Sequence, residues 1–214
     1  MDLSAFEVQF EARMARVCDA HPDPAHDMLH VRRVVANAKR LASSEGARLD
    51  VVVPAAYLHD VVMIPKTDPR RRQASRLSAA EAGVFLREIG YPPNLIADVE
   101  HAIEAHSFSA RVDARTLEAK VVQDADRLDA LGAIGISRCL MLSGMTLRPI
   151  YFSEDPFGEN RVPDDSTNAL DHFFVKLLRL PELMQTPSGR SEADRRLRIM
   201  RDFLSALESE IRDS

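Results

Sequence analysis

The segment Val51–Ile64 reads VVVPAAYLHDVVMI, fourteen residues of almost unbroken apolar character into which His59 and Asp60 are set. A run this apolar belongs at the centre of a fold. It carries two ionisable groups there. Burying a charge without a partner costs several kcal/mol, so the two groups must be paired with other side chains or hold a metal. The run is too short and too polar to span a bilayer. Any fold for this chain must therefore bring further polar groups to the centre.

Periodicity supplies the elements. Ala193, Leu197, Met200, Leu204, Leu207 and Ile211 step by 4, 3, 4, 3, 4 with Arg and Glu between them, the stripe of an amphipathic helix, with Ser191 as its expected N-cap. Residues 3–19 repeat the pattern with Phe6, Phe10, Met14 and Val17. Residues 25–42 read as a helix with Leu29, Val34, Ala38 and Leu41 inward, and 50–61 as a nearly all-apolar helix with Pro54 near its start. Further helices fit 77–89, 94–106, 114–128, 129–143 and 168–180, with Gly90-Tyr91-Pro92-Pro93 as a helix stop. Residues 147–167, with three prolines and a glycine, form the longest irregular stretch. No hairpin signal is present. The expectation is an all-α chain forming a single domain over 1–214, with a core at about 20–145 and C-terminal helices at about 168–211.

Composition narrows the function. The chain has 28 Lys+Arg against 33 Asp+Glu, a net charge of −5, which argues against coating extended nucleic acid. Cys18 and Cys139 are far apart and read as free buried thiols of a reducing compartment. The N-terminus MDLSAFEVQFEAR lacks the apolar stretch of a secretory signal. A cytoplasmic protein without membrane contact is expected, and self-association is left open.

Five of the seven histidines fall between residues 26 and 106. His30 lies on an amphipathic segment, and VVQDADRLDALGAIG carries Asp124, Asp126 and Asp129 among apolar residues. Imidazoles and carboxylates from three helices make a plausible mixed N/O site for a divalent metal. Cations follow closely: Arg33 stands one turn from His30, and Lys66, Arg70, Arg71, Arg72 and Arg76 fall within eleven positions after the His-Asp pair. Each arginine offers a planar fork for phosphate, while a solvated loop is the plain alternative.

The order His30, His59-Asp60, Asp126 resembles the HD superfamily of metal-dependent phosphohydrolases. AHDMLHVRRVVANA, AAYLHDVV, AIEAHSFS and KVVQDADRLDALGAIGISR resemble a small bacterial subfamily over roughly residues 20–210. The resemblance implies an HD-type helical domain with a C-terminal helical extension. It implies His30, His59, Asp60 and Asp126 as ligands of manganese or another transition metal, or of magnesium. Asp126 is preferred to Asp124 because Ala125-Asp126-Arg127-Leu128 matches the context of the family's last ligand. The sequence departs from the alarmone hydrolases, because Val61-Val62-Met63-Ile64 stands where their acidic pair would follow.

The expected reaction is attack of metal-activated water on phosphorus in a small phosphorylated substrate, most simply a nucleotide, at a phosphomonoester or triphosphate bond. Asp60 and His106 are the catalytic candidates. His106 can also contact phosphate, bind a second metal, or be an ordinary helix-end histidine. Arg33, Lys66, Arg70 and Arg72 are the substrate-binding candidates. His26, Asp124 and Asp129 are candidates to orient ligands; His26 shares a helix face with His30 and can also be a ligand or a cap, and Asp129 can instead pair with an arginine. Glu104 is a further candidate base. Met141, Met145, Phe173 and Phe174 read as core. A non-catalytic metal or nucleotide sensor and a phosphodiesterase are the alternatives.

Overall fold

A computed structural model describes residues 2–24, 26–64, 68–107 and 110–212. Among these the chain is all-α, without a strand. The helices are α1 (Ser4–Ala20), α2 (Met28–Glu45), α3 (Leu49–Leu58), α4 (Ala74–Glu88), α5 (Pro93–His106), α6 (Leu117–Asp129), α7 (Gly132–Met145), α8 (Ala169–Val175) and α9 (Pro187–Arg212). No single helix among the described residues is long and apolar enough to cross a membrane. The chain divides into two compact units, Met1–Asp126 and Arg127–Ser214.

In the first unit α3 packs against α1, α2, α4 and α5. Every residue from Val51 to Leu58 is buried, so α3 is the axis of this unit. Around it stand Phe10, Met14, Val34, Ala38, Leu41, Phe85 and Tyr91, all buried. Pro54 sits in the second turn of α3, deeper than the first-turn position at which proline is harmless. A proline there leaves the carbonyl of Asp50 without its intrahelical donor. The Tyr91 hydroxyl fills the vacancy, donating to that carbonyl at 2.5 Å. Burial first, and Asp50 second, push the Tyr91 phenol up. Tyr91 can reach α3 because α4 stops at Glu88 and Gly90 turns left-handed (φ 71°).

Several boundaries differ from the expected ones for local reasons. Helix α3 ends at Leu58, so His59 caps it and Asp60 lies in the following turn. Helix α4 starts at Ala74, after a 3-10 turn Pro69–Gln73 that Asp68 caps by accepting the Arg70 N–H at 2.8 Å. Leu29, expected inward, is 57% exposed; it precedes the buried stripe that begins at His30. Cys18 is half-buried rather than buried.

In the second unit α7 packs on α8 and α9. Helix α9 begins four residues before the expected Ser191 cap, with the Thr186 hydroxyl accepting the Gly189 N–H at 3.1 Å. It buries Ala193, Leu197, Met200 and Leu204, as the stripe requires. The expected helix over 168–180 is instead α8 followed by a 3-10 stretch, Leu177–Leu183, because Lys176 leaves helical geometry and Pro181 cannot serve an α-helix interior. Met141 and Met145 are exposed, whereas Phe173 is wholly buried. The irregular segment before α8 is fastened rather than loose. Ala169 and Leu170 donate to the carbonyls of Pro149 and Ile150 at 3.0 and 2.9 Å, and the Arg161 guanidinium grips the buried Asp171 carboxylate.

Candidate metal centre

Four elements of the first unit deliver side chains to one place. The backbone N–H of His30 donates to the Asp27 carboxylate at 2.8 Å, the cap that starts α2. The buried His30 ring then meets His59, their Nε2 atoms 3.3 Å apart. His59 has no exposure, and its Nδ1–H donates to the Ala56 carbonyl at 2.9 Å. A carbonyl can only accept, so Nδ1 carries the proton and Nε2 presents its lone pair to the cluster. Asp126 of α6 places Oδ1 3.6 Å from His30 Nε2 and 3.9 Å from His59 Nε2. Asp60 places Oδ2 3.5 Å from His59 Nε2.

His106, the last residue of α5, repeats the device. Its Nδ1–H donates to the Ile103 carbonyl at 2.6 Å, and its Nε2 lies 3.7 Å from Oδ1 of Asp60. Its ring stands edge-on to His59, with centroids 5.0 Å apart. Asp60 therefore turns one oxygen toward His59 and the other toward His106.

The charge states follow from these neighbours. Burial raises both carboxyls, but the surrounding histidines outweigh it: His59, His106, His26 and His30 bring Asp60 well below the usual carboxylate range, and His59, His30 and His106 lower Asp126. Burial first, and the neighbouring His59 second, lower His106 below the ordinary histidine value. Two carboxylates and the Nε2 atoms of His59 and His106, whose Nδ1 atoms face backbone carbonyls, thus converge on one place. One ligand atom each from His30, His59 and Asp60 lies within 4.8 Å of the others, a spacing that a single cation can serve.

The remaining candidates divide. His26 is half-buried; its Nδ1 pairs with Asp23 at 2.8 Å and its ring packs edge-on against His30. Asp124 is fully buried on α6, but two residues from Asp126 it leaves the helix on another side. Asp129, also buried, takes its arginine option: Arg138 donates to its carboxylate at 2.7 Å. Arg33 is half-buried on α2. Arg70 is exposed and turned onto its own loop's Asp68, Arg72 is exposed, and Lys66 lies outside the described residues. Glu104 pairs with Arg76 at 2.8 Å in a groove between α4 and α5. Sequence reading passed over Gln123, a buried amide that donates to the Ala105 carbonyl at 2.7 Å. The available signal was its place three residues before Asp126 in an apolar stripe.

Residues 28–131, which contain all five converging side chains, match the HD domain family. The chain is 35% identical over 190 residues to the uncharacterized protein YpgQ of Bacillus subtilis, covering 87% of this chain and 84% of that one. Among solved structures it is similar to an HD-superfamily hydrolase from Bacillus thuringiensis, with TM-score 0.78, 29% identity and full coverage of both chains. It is also similar to Bacillus subtilis YpgQ in complex with ADP, with TM-score 0.74, 33% identity and 95% and 94% of the two chains covered. A helical chain with this ordered His, His-Asp, Asp set at its centre, alike over most of its length to such proteins, belongs to the HD-domain family.

Proposed function

We propose that the chain is a metal-dependent phosphohydrolase acting on a nucleotide at a phosphomonoester or triphosphate bond. The observation that carries the reading is the convergence of His30, His59, Asp60 and Asp126 with their donor atoms turned inward. The donor set fits a divalent cation: it mixes neutral imidazole nitrogen with carboxylate oxygen, as manganese and related metals accept. His30, His59, Asp60 and Asp126 would hold the ion. When bound, a divalent ion makes water acidic enough to attack at neutral pH and draws charge from a phosphoryl oxygen.

The chain's own residues supply the rest. His106 Nε2, neutral and aimed at Asp60, can accept a proton from the attacking water as its oxygen bonds phosphorus and the P–O bond to the leaving group breaks. Arg33, Lys66, Arg70 and Arg72 are the cations proposed to receive phosphate charge; Arg70 would exchange Asp68 for phosphate. Nucleotide as substrate class is supported by the ADP held by the similar YpgQ. The net charge of −5 favours a small substrate over a nucleic acid strand.

The test is a panel of nucleoside mono-, di- and triphosphates and cyclic nucleotides with Mn²⁺, Mg²⁺ or Co²⁺, comparing wild type with Asp60→Ala and His59→Ala. Turnover that needs the metal and disappears in both variants is expected, and the products identify the bond. Metal-independent turnover, or activity indifferent to both substitutions, overturns the reading. Nucleotide binding without turnover under any metal replaces it with a binding protein.

A further inference from the structure

Gln123 and Asp126 are three residues apart on α6, so their side chains leave the same face of the helix. Gln123 is 6% exposed. Burying a carboxamide is costly unless it is hydrogen-bonded, and an apolar residue would fill the space without that requirement. The bond it makes is specific: Nε2 donates to the carbonyl of Ala105 at 2.7 Å. Ala105 directly precedes His106 in the last turn of α5, where carbonyls have no intrahelical donor. A second carbonyl of that turn, Ile103's, is taken by the ring of His106 itself. The end of α5 is therefore fastened twice, and one fastening comes from the helix that supplies Asp126.

Helix α6 is tied at its other end as well. Glu118 accepts the Arg48 backbone N–H at 3.2 Å and its Nε at 3.1 Å, and the Arg48 guanidinium also donates to Asp98 of α5 at 2.5 Å. That bridge is partly exposed and two turns from Asp126, whereas Gln123 lies one turn away. A looser counterpart stands on α2: the buried Asn37, seven residues after His30, has Nδ2 3.5 Å from the carbonyl of Ala125, which precedes Asp126.

We infer that Gln123 is a positioning residue of the metal centre: its bond to Ala105 sets how far His106 stands from the Asp60 carboxylate it faces, and through Asp60, one of the proposed ligands, the affinity and geometry of the bound cation. The inference rests on the metal reading above and concerns a residue that touches neither cation nor substrate.

The experiment uses the full chain. Wild type, Gln123→Met, Gln123→Asn and Asp98→Asn are titrated with Mn²⁺ by calorimetry, and the visible absorption of each Co²⁺-loaded protein is recorded. Gln123→Met keeps the volume and removes the donor; it is expected to lose about tenfold or more in Mn²⁺ affinity and to change the Co²⁺ bands. Gln123→Asn keeps the amide one methylene short and is expected to fall between. Asp98→Asn loosens the distant tie and is expected to lower the melting temperature while leaving affinity and spectrum as in wild type. Wild-type affinity and spectrum in folded Gln123→Met and Gln123→Asn overturn the inference, as does an equal change in Asp98→Asn. Should Gln123→Met fail to fold, an unaltered Gln123→Asn overturns it alone. A wild type that binds neither ion overturns the metal reading itself, a different result from a wild type that binds and variants that match it.

Discussion

The Nε2 atoms of His30 and His59 face each other at 3.3 Å across 29 residues of sequence, and the His59 Nδ1 proton is already committed to the Ala56 carbonyl. Only two arrangements satisfy that contact. Either the two nitrogens share one proton, or both lone pairs meet a cation, and the nearby Asp126 carboxylate favours positive charge between them.

Adding Mn²⁺ is therefore expected to stabilise the protein. A ligand at about 100 times its Kd contributes about 2.7 kcal/mol. For a chain of this size that is roughly 5–10 °C in melting temperature. His59→Ala and Asp126→Ala are expected to abolish the shift in a thermal melt with and without metal. An undiminished shift in both variants would place the ion elsewhere.

Asp171 is wholly buried, and Arg161 supplies its counter-charge. Burial raises the carboxyl, and the Arg161 and Asp164 hydrogen bonds outweigh it and lower it. Arg161→Ala leaves a buried carboxylate with backbone and amide donors only. The expected cost is about 2–3 kcal/mol, below the usual figure for breaking a fully buried pair because Arg161 is partly solvated. Urea denaturation checks it, and a loss under about 0.5 kcal/mol, the range of ordinary surface substitutions, would contradict it.

His172 has its pKa lowered, chiefly by burial, against the opposing hydrogen bond that its ring donates to Asp165. A histidine held below its unfolded value binds a proton more weakly when folded. Its contribution to stability is complete above about pH 6.5, and it is lost as pH falls through the lowered value. His172→Gln is expected to flatten the decline of melting temperature on acidification below pH ~6.5. Parallel curves for the two proteins would refute this.

Two glycines make a contrasting pair. A Cβ at Gly135 would stand 2.2 Å from the backbone oxygen of Ala130, so Gly135→Ala is expected to cost about 1–3 kcal/mol. A Cβ at Gly83 would meet the Glu100 carboxylate at 1.8 Å, the end of a flexible side chain paired with Arg87. Moving that exposed pair costs about 0–1 kcal/mol, and alanine in a helix returns about 0.8–1 kcal/mol. Gly83→Ala is thus expected to be near neutral. Chemical denaturation of both variants checks the contrast, and equal losses would contradict it.

The chain's helical class was legible because helix periodicity is a local property, written in neighbours three and four apart. The stripe from Ala193 to Leu204 is buried as its spacing requires. His59 and Asp60 were legible as a problem to be solved, because an ionisable pair inside an apolar run is anomalous whatever surrounds it. The ends of elements were less so: α9 starts at Thr186-Pro187 because a hydroxyl three residues before Gly189 happens to cap it, and Leu29 faces outward because the buried stripe of α2 starts one residue later.

Partnerships across the first unit belong to packing alone. Nothing in the sequence pairs Tyr91 with the carbonyl that Pro54 orphans 41 residues earlier, gives one oxygen of Asp60 to His106, or sets Gln123 against the carbonyl before His106. Local spacing determined that this chain is helical and that its centre must answer a histidine and an aspartate. The tertiary structure decided which atoms answer them, because that depends on how four helices meet around α3, a sum over distant contacts that no run of neighbouring residues encodes.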